Sequence, residues 1–343
     1  MTLPMNRKWI YSRRPEGEVG ESNYTLKEEP VEREPREGEI LVRARYISVD
    51  PYMRIGQSAQ RTWGEPHPVG EVQGAGVVGQ VEASRDASGR IKAGDWVNVY
   101  TGWQLYGLYP AADAALLDPS VAPVSTALGV LGMPGLTAYF GLLEAGRPRP
   151  GETVVVSGAA GAVGAIVAQI AKVKGCRVVG IVGSDAKAAH LKNDLGVDAT
   201  VNYRTSAESG SITGALSAAC PEGIDVYFDN VGGPITDSIW PLINLRARVI
   251  ICGQISQYSG GLDNPDIGPR FLHRILYTRA TIQGILARDY RDRNAEMLAA
   301  MGPWVRSGRI KYVETILEGF ENLPAALNGL FHGKNTGKMV VRV

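Results

Sequence analysis

The chain has 343 residues, which corresponds to about two domains at ~150 residues each. Its 36 Lys and Arg and its 35 Asp and Glu give a formal net charge of +1. This balance argues against a nucleic-acid-binding protein, which needs a strongly basic surface. Only three cysteines occur, which excludes a disulfide framework, and no apolar stretch has the length of a signal peptide or a membrane span. We therefore expect a soluble, cytoplasmic protein without nucleic-acid or membrane partners.

Strand-like alternation, broken by Gly and Pro, is typical of about the first 120 residues. Residues 39–49 (EILVRARYISV) alternate apolar and polar side chains, as a half-buried strand does. Residues 77–82 and 95–99 are further short strands, separated by turn-rich segments. This half of the chain is predicted to form a compact, mostly antiparallel β domain.

The pattern changes after Pro150. Residues 153–157 (TVVVS) predict a short strand of the kind that is buried on both faces of a parallel sheet. Apolar residues three and four apart predict a helix over residues 162–174. The alternation continues with strands at 177–182, 199–202, 224–228, 247–252 and 281–286 and a helix at 185–195. Such alternation predicts an α/β fold with a doubly wound parallel sheet, and the tail, residues 315–343, returns to strand character and could complete either domain.

A glycine-rich loop, GAAGAVG at residues 158–164, joins the first of these strands to its helix. Glycine lets the backbone approach a pyrophosphate without a Cβ in the way, and the helix N-terminus adds favourable positive potential. We expect Gly164 to allow close packing of the helix on the strand. The loop therefore predicts dinucleotide binding, although the same glycines could merely form a tight turn.

The choice of cofactor is normally set near the end of the second strand, where an acidic residue binds the adenosine ribose. Asp185 stands slightly late for that role and sits where a helix N-cap belongs, so we interpret it as the cap. Lys187 and the Tyr203-Arg204 pair could converge on a 2′-phosphate, which would favour NADP(H). The alternative is that Lys187 and Arg204 are ordinary solvated charges.

The sequence offers no recognisable zinc site. The cysteines all lie in the nucleotide-binding half, and the four histidines are scattered without an i, i+4 pair. These residues are Cys176, Cys220, Cys252, His67, His190, His273 and His332. We therefore expect no bound metal, so a carbonyl group would be polarised by hydroxyl groups or by the cofactor.

Six segments, in order along the chain, resemble one family. They are DPYMR (50–54), GMPGLTAY (132–139), AAGAVG (159–164), DNVGG (229–233), CGQISQY (252–258) and GKNTGK (333–338). Together they resemble the zinc-free medium-chain dehydrogenase/reductases, and among these the NADPH-dependent double-bond reductases, such as curcumin, plant alkenal and prostaglandin reductases. The resemblance implies a GroES-like β domain at 1–125, completed by 315–343, a Rossmann NADP-binding domain at 126–314, and a homodimer.

The resemblance also implies residue roles. The pyrophosphate would contact Gly161, Ala162, Val163 and Gly164, and the 2′-phosphate would contact Lys187 and Tyr203. The ribose and nicotinamide would be bordered by Asn230, Cys252, Gly253, Ile255, Ser256, Tyr258, Ile285, Leu286, Ala287 and Asn335. Relatives often carry an aromatic residue after Gly284, so Ile285 and Leu286 leave the shape of the substrate pocket open.

The implied reaction is reduction of the C=C bond of an α,β-unsaturated ketone or aldehyde by hydride transfer from NADPH to the β-carbon. Negative charge then builds on the carbonyl oxygen, and a donor aimed at that oxygen lowers the barrier. Tyr258 is the first candidate for the donor, the ribose hydroxyl competes with it, and Tyr52 would clamp the substrate. By composition alone Tyr258 would be an ordinary loop tyrosine, since the chain has 14. A zinc-free quinone reductase and a nonenzymatic, crystallin-like NADPH-binding protein remain alternatives.

Overall fold

The computed structural model describes residues 4–31, 33–208, 210–260 and 267–343. Its strands are β1 (Met5–Tyr11), β2 (Tyr24–Pro30), β3 (Glu39–Ser48), β4 (Val77–Ser84), β5 (Trp96–Val99), β6 (Tyr106–Pro110), β7 (Ala115–Leu117), β8 (Thr153–Ser157), β9 (Arg177–Val182), β10 (Ala199–Asn202), β11 (Ile224–Asp229), β12 (Ile243–Ile251), β13 (Thr281–Gly284), β14 (Glu314–Glu318) and β15 (Lys338–Arg342). They form an antiparallel hairpin of β1 and β2 and two larger sheets.

The helices lie mainly in the second half of the chain. They are α1 (Tyr52–Gly56), α2 (Met133–Phe140), α3 (Gly164–Val173), α4 (Asp185–Asn193), α5 (Tyr203–Glu208), α6 (Ile212–Ala219), α7 (Gly233–Asp237), α8 (Leu272–Thr278), α9 (Asn294–Arg306) and α10 (Leu323–Phe331). Among the described residues, none of the helices combines the length and apolar character that crossing a membrane requires.

The N-terminal sheet confirms the antiparallel β domain predicted from the alternation. Its order is β14-β15-β3-β4-β5-β7, with β6 paired to β3, and all pairings but β14 with β15 are antiparallel. Strand β15 pairs with β3 in a register that sets Val341 opposite Ile47. The two strands of the C-terminal tail therefore extend the N-terminal sheet.

The second sheet confirms the predicted doubly wound fold. All six strands are parallel, in the order β10-β9-β8-β11-β12-β13, which is the Rossmann arrangement. Strand β8 is buried on both faces: Val154 and Val156 belong to the core under α3, and Val155 to the core on the opposite side. The carboxyl ends of these strands share one edge of the sheet, which is where ligands bind in such folds.

The tail departs from the predicted strand character. Between β14 and β15 it forms α10, whose residues Leu323, Ala326, Leu327 and Leu330 are buried in the core of the N-terminal sheet. Their spacing of three and four matches a helix rather than a strand, and Pro324 occupies the first turn, where it is tolerated. The prediction for residues 323–331 was therefore wrong.

Candidate active site

The glycine loop connects β8 to α3 by a very close turn. Gly158 has a φ of +58°, and the N–H of Gly161 donates to its carbonyl oxygen at 2.9 Å. A Cβ on Gly164 would lie 2.3 Å from the same carbonyl oxygen, so only glycine lets the helix begin here. The helix therefore starts directly on the turn, as expected for Gly164.

Two backbone N–H groups of this loop have no partner among the described residues. They belong to Val163 and Gly164, whereas the N–H of Ala162 faces the carbonyl oxygen of Gly337 in the bridge between Gly161 and Gly337. These groups stand at the N-terminus of the ten-residue helix α3, where the helix dipole is positive. Unsatisfied donors at a helix N-terminus form an anion-binding site, so this loop fits a pyrophosphate.

The C-terminal segment before β15 closes over the same loop. The N–H of Gly337 donates to the carbonyl oxygen of Ala160 at 2.8 Å, and Gly337 forms an isolated parallel bridge with Gly161. The side-chain amide of Asn335 donates to the carbonyl oxygen of Gly337 at 2.8 Å. The structure thus places Asn335, 171 residues away in sequence from Gly164, next to the glycine loop.

The N-cap of α4 is Ser184 and not Asp185, so that prediction was wrong. Ser184 has extended backbone angles, and its Oγ accepts from the N–H of Lys187 at 3.3 Å. Asp185 is already helical, and its carboxylate accepts from the side-chain amide of Asn202 at 2.8 Å. The extended residue with an accepting oxygen is the cap, so the cap lies one residue before the prediction, while the helix starts at residue 185 as predicted.

Lys187 and Arg204 lie close together without a compensating carboxylate. Lys187 Nζ donates to the carbonyl oxygen of Gly333 at 2.7 Å, and the Arg204 guanidinium lies 5.8 Å from the centre of the Tyr203 ring. Burial, and then the charge of Arg204, lower the pKa of Lys187. Within the described residues, no acidic side chain forms an ion pair with either cation. Two neighbouring cations that lack a counterion fit a phosphate.

The turn after β11 is organised by Asp229, which no predicted role covered beyond its place in the DNVGG motif. Its side chain is fully buried and accepts hydrogen bonds from Ser157 Oγ, Tyr227 Oη, Thr236 Oγ1 and the N–H groups of Val231 and Gly232, at 2.6–3.0 Å. Asn230 is held beside it, since its side-chain amide donates to the carbonyl oxygen of Ser157 at 2.7 Å. The available signal for this arrangement was an acidic residue at the carboxyl end of β11, directly after the apolar run at residues 226–228.

The loop after β12 is hydrogen-bonded to that turn. The N–H groups of Cys252 and Gly253 both donate to the carbonyl oxygen of Asp229, at 2.8 and 3.1 Å. Further along, Ile255 N–H donates to the carbonyl oxygen of Asn230, and Ser256 N–H and Oγ donate to that of Val231. The structure therefore brings the predicted residues of the 252–258 loop next to Asn230, at the carboxyl edge of the sheet.

Tyr258 is buried under this loop with its hydroxyl turned back toward it. The hydroxyl oxygen accepts from the N–H of Gln254 at 2.9 Å and would lie 3.0 Å from a Cβ on Gly253. Among the described residues no group accepts the hydroxyl proton of Tyr258. Burial raises the pKa of Tyr258 to about 12, so the phenol keeps this proton at neutral pH. The hydroxyl therefore keeps one hydrogen-bond donor that no described residue uses.

Tyr52 belongs to the other half of the molecule. It begins α1, packs against the core of the N-terminal sheet, and shares a hydrogen bond with the hydroxyl of Tyr100. Burial, with the neighbouring Tyr100 and Asp50, raises the pKa of Tyr52 well above its usual value. Tyr52 and Tyr258 are thus both protonated phenols, held by separate groups of hydrogen bonds.

The segment that follows β13 runs beside the carboxyl end of β12. The N–H of Ile285 donates to the carbonyl oxygen of Ile251 at 3.1 Å, but its side chain is buried in the core, with Cδ1 2.3 Å from where a Cβ on Gly141 would lie. Leu286 is half-buried, and Ala287 begins a 3-10 turn that runs to Arg293. Ile285 therefore presents its backbone rather than its side chain to this edge.

Comparisons with known proteins agree with this geometry. A family model described as the N-terminal domain of oxidoreductase matches residues 7–117, and one described as zinc-binding dehydrogenase matches residues 162–302. The putative NADP-dependent oxidoreductase YfmJ of Bacillus subtilis is 46% identical, with 97% of this chain and 96% of that protein covered. This chain belongs to the medium-chain dehydrogenase/reductase family.

Two further relatives narrow the similarity within the medium-chain family. The NADPH-dependent curcumin reductase of Escherichia coli is 42% identical, with 98% of this chain and 97% of that protein covered. The crystal structure of CurA from Vibrio vulnificus in complex with NADPH is 40% identical, with a TM-score of 0.91 and 98% and 99% of the two chains covered. The chain is thus an oxidoreductase of the curcumin reductase type.

Zinc, which the name of one family model implies, does not fit the residues of this chain. Across residues 4–31, 33–208, 210–260 and 267–343, no three His, Cys, Asp or Glu side chains are grouped so that they could hold a metal ion. The thiol of Cys252 is also a poor ligand: desolvation, and then the charge of Asp229, raise its pKa to about 12, and metals bind the thiolate. The expectation of no metal stays a prediction.

Proposed function

We propose that this medium-chain oxidoreductase reduces the C=C bond of α,β-unsaturated ketones and aldehydes with NADPH. The observation that carries the proposal is Tyr258, a buried phenol that accepts a backbone hydrogen bond and keeps its own proton for a ligand. It lies in the loop packed on Asn230, at the edge of the sheet where the glycine loop also opens. A protonated hydroxyl beside a dinucleotide site is what stabilisation of a developing oxyanion requires.

NADP(H) is the cofactor, and we assign its contacts as follows. The N–H groups of Ala162, Val163 and Gly164 bind the pyrophosphate, with Gly161 allowing its approach. Lys187 and Tyr203 bind the 2′-phosphate, and Arg204 adds a second positive charge. The remaining contacts, to ribose and nicotinamide, come from Asn230, Cys252, Gly253, Ile255, Ser256, Tyr258, Ile285, Leu286, Ala287 and Asn335.

Bound NADPH supplies a hydride to the β-carbon of the substrate and leaves as NADP⁺, while a proton is added at the α-carbon. Tyr258 donates a hydrogen bond to the carbonyl oxygen as negative charge builds there. Such a donor is worth ~2.7–4 kcal/mol in the transition state. The proton for the α-carbon comes from Tyr258 or from water, and a ribose hydroxyl competes with Tyr258 as the donor.

Tyr52 acts on the substrate from the opposite side. Its hydroxyl is held by Tyr100, so its ring and oxygen have a defined direction. We assign it to clamp the substrate rather than to exchange a proton, because its raised pKa keeps it neutral. The substrate thus lies between a fixed phenol of the N-terminal half and the Tyr258 loop.

The test is a substrate panel that follows the loss of NADPH absorbance. We expect turnover with an aromatic enone and a 2-alkenal, slower turnover of ortho- and para-quinones, and recovery of the saturated carbonyl product. Reduction of quinones alone would identify a quinone reductase instead. Tight NADPH binding without turnover of any acceptor would identify a nonenzymatic binding protein.

The homodimer is proposed to form at the edge of the six-stranded sheet that β13 provides. All four residues of β13 are exposed, and α8 next to it exposes Leu272, Leu276 and Tyr277. An exposed edge strand beside apolar side chains is a surface that a second copy can cover, strand against strand, about a two-fold axis. Sedimentation velocity should show a dimer, which Ile282→Lys together with Leu276→Asp should convert to monomer.

A further inference from the structure

The most completely buried ion pair among the described residues joins Asp50 to Lys338. Lys338 Nζ lies 3.1 Å from Asp50 Oδ1, and the two side chains are only 7% and 3% exposed. The same ammonium donates to the carbonyl oxygens of Val49 and Met339, at 2.8 and 2.6 Å, and Ser48 Oγ donates to the other oxygen of the carboxylate. Each of the three N–H groups of the Lys338 ammonium therefore has its own acceptor, and these contacts hold the pair in a single arrangement.

Stability alone does not explain such a pair. Removing two charges from water costs several kcal/mol per ion, and well-packed apolar residues in their place are often as stable or more so. The pair instead fixes the orientation of both charged groups, because three acceptors hold the ammonium and two donors hold the carboxylate. This fixed orientation also holds in place the two chain segments that carry Asp50 and Lys338.

One end leads to the proposed pyrophosphate site. Lys338 directly follows Gly337, whose N–H donates to the carbonyl oxygen of Ala160 in the glycine loop. A Cβ on Gly337 would lie 1.8 Å from the carbonyl oxygen of Val313, so only glycine fits at this close approach. Lys338 is thus one residue away from a direct hydrogen bond to the loop that begins α3.

The other end leads to the proposed substrate clamp. Asp50 lies two residues before Tyr52, and its carbonyl oxygen accepts from the N–H of Met53 at 3.1 Å in the first turn of α1. Moving the Asp50 carboxylate would therefore move the start of α1 and the ring of Tyr52 with it. The ion pair is the shortest connection between the Tyr52 turn and the glycine loop that the contacts above provide.

We infer that Asp50 and Lys338 are positioning residues, whose ion pair sets the register between the Tyr52 clamp and the bound cofactor. This inference rests on the proposed function, because it takes the glycine loop as the cofactor site and Tyr52 as a substrate contact. Neither residue touches the reacting atoms. Loss of the pair should displace the substrate relative to the hydride donor, and a misplacement of ~1 Å can reduce the rate on the order of 10²-fold.

The experiment compares Lys338→Met, Asp50→Asn and the double variant with the wild type. The double variant buries no charge and keeps the side-chain volumes nearly unchanged, so we expect it to fold even if a single variant does not. We expect kcat for the enone to fall ~10–100-fold in each folded variant, with a larger primary isotope effect from deuterated NADPH. The NADPH Kd, measured by fluorescence, should stay within about threefold, because the loop N–H groups are untouched.

A readout without substrate separates positioning from general destabilisation. Amide hydrogen exchange in residues 51–57 of the cofactor-free protein should accelerate in the variants, while exchange in β11 and β12 stays unchanged. The matched control is the pair Glu152–Arg248, with side chains 20% and 14% exposed at the amino end of the sheet. Glu152→Gln with Arg248→Met should lower the Tm and leave kcat, KM and exchange in residues 51–57 unchanged.

The outcomes test the positioning role of the ion pair separately from the proposed function. Unchanged kcat and unchanged exchange in residues 51–57 for the double variant would overturn the positioning role. A fall in kcat of the same size in the Glu152–Arg248 control would also overturn it, since any lost ion pair would then suffice. A wild type that binds NADPH but reduces no enone contradicts the proposed function instead, and the exchange measurement still tests the link between the ion pair and the Tyr52 turn.

Discussion

The cofactor side of the candidate site is built mainly from backbone groups, whereas its substrate side is built from side-chain hydroxyls. The unpaired N–H groups of Val163 and Gly164 and the tight packing at Gly164 follow from the path of the chain. Tyr52 and Tyr258, in contrast, depend on which groups hold their hydroxyls: Tyr100 for the first and the Gln254 N–H for the second. A site built from backbone groups therefore tolerates most side-chain changes but no added Cβ, while a site built from a hydroxyl is lost with one oxygen.

The largest expected effect comes from deleting that oxygen on the substrate side. Tyr258→Phe removes the donor to the developing oxyanion, which is worth ~2.7–4 kcal/mol, so kcat for an enone should fall ~10²–10³-fold. Binding of NADPH should change little, because phenylalanine keeps the ring of Tyr258 and the other cofactor contacts of the loop are unchanged. Steady-state kinetics with the enone, together with the NADPH Kd, measures both.

The control for this change is Tyr106→Phe, on β6 of the N-terminal sheet. The ring of Tyr106 lies under the Arg43 guanidinium at 5.9 Å, a contact that phenylalanine keeps. We expect wild-type kinetics for this variant. If Tyr258→Phe leaves kcat and kcat/KM within about threefold of the wild type, the assignment of Tyr258 as the donor is wrong.

The second-largest effect is expected on NADPH affinity, from a change in the backbone of the glycine loop. Gly164→Ala adds a Cβ that would lie 2.3 Å from the Gly158 carbonyl oxygen and 2.9 Å from Ala159 Cα, so the loop must move. Overpacking of this kind costs ~1–3 kcal/mol, and we expect the NADPH Kd to rise ~10–100-fold. Isothermal titration with NADPH measures the change directly.

Gly214→Ala is the matched control, because Gly214 also stands in the first turn of a helix. A Cβ there would make only an ordinary contact, 3.6 Å from Ser211 Cβ. We expect unchanged NADPH affinity and a slight gain in stability from the better helix former. Equal NADPH affinity in the two variants would mean that the glycine loop does not hold the cofactor.

The same contrast explains what the sequence could predict. Local patterns predict the six-stranded parallel sheet, the glycine loop and the packing role of Gly164. Each of these patterns, whether a buried strand, a helical periodicity or a glycine spacing, lies within a segment of about 20 residues. The cap at Ser184 was missed because Ser and Asp are both good caps, and only the backbone angles decide between them. Helix α10 was missed because its pattern is short and lies between two strands of the N-terminal sheet.

Contacts between distant segments could not be predicted in the same way. Asp229 collects donors from β8, β11 and α7, and Asn335 reaches the glycine loop through Gly337, contacts that no local spacing records. The buried pair of Asp50 and Lys338 is 288 residues apart and looks, in sequence, like two ordinary charges. The tertiary fold alone determines which polar groups meet.

A third effect concerns the 2′-phosphate. Lys187→Ala removes one charge-assisted hydrogen bond, worth ~1.5–3 kcal/mol, so the preference for NADPH over NADH should fall ~10–100-fold. NADH affinity should stay nearly constant, because NADH lacks the phosphate. Lys192→Ala, at an exposed position later in the same helix, should leave both affinities unchanged. A loss of affinity for both cofactors alike would show that Lys187 supports the fold rather than the phosphate.

A pH dependence follows from the same lysine. Burial and the charge of Arg204 lower the pKa of Lys187, so in the free enzyme its proton is lost at a lower pH than from an ordinary lysine. The cation is present below that pKa and absent above it, and NADPH affinity should therefore decline as the pH rises through it. NADH affinity should remain flat over the same range. Titrations of both cofactors from neutral to alkaline pH measure the difference, and parallel curves would contradict the assignment.

The smallest effect is expected at the substrate clamp. Tyr52→Phe keeps the ring and removes only the hydroxyl that bonds with Tyr100, a neutral hydrogen bond worth ~0.5–1.5 kcal/mol. We expect KM for the enone to rise ~2–10-fold, with kcat changed less, because a clamp acts on ground state and transition state alike. Tyr100→Phe should reproduce this result, since it removes the other partner of the same bond. A fall in kcat as large as that of Tyr258→Phe would instead assign Tyr52 to the oxyanion, and the division between a holding phenol and a donating phenol would be reversed.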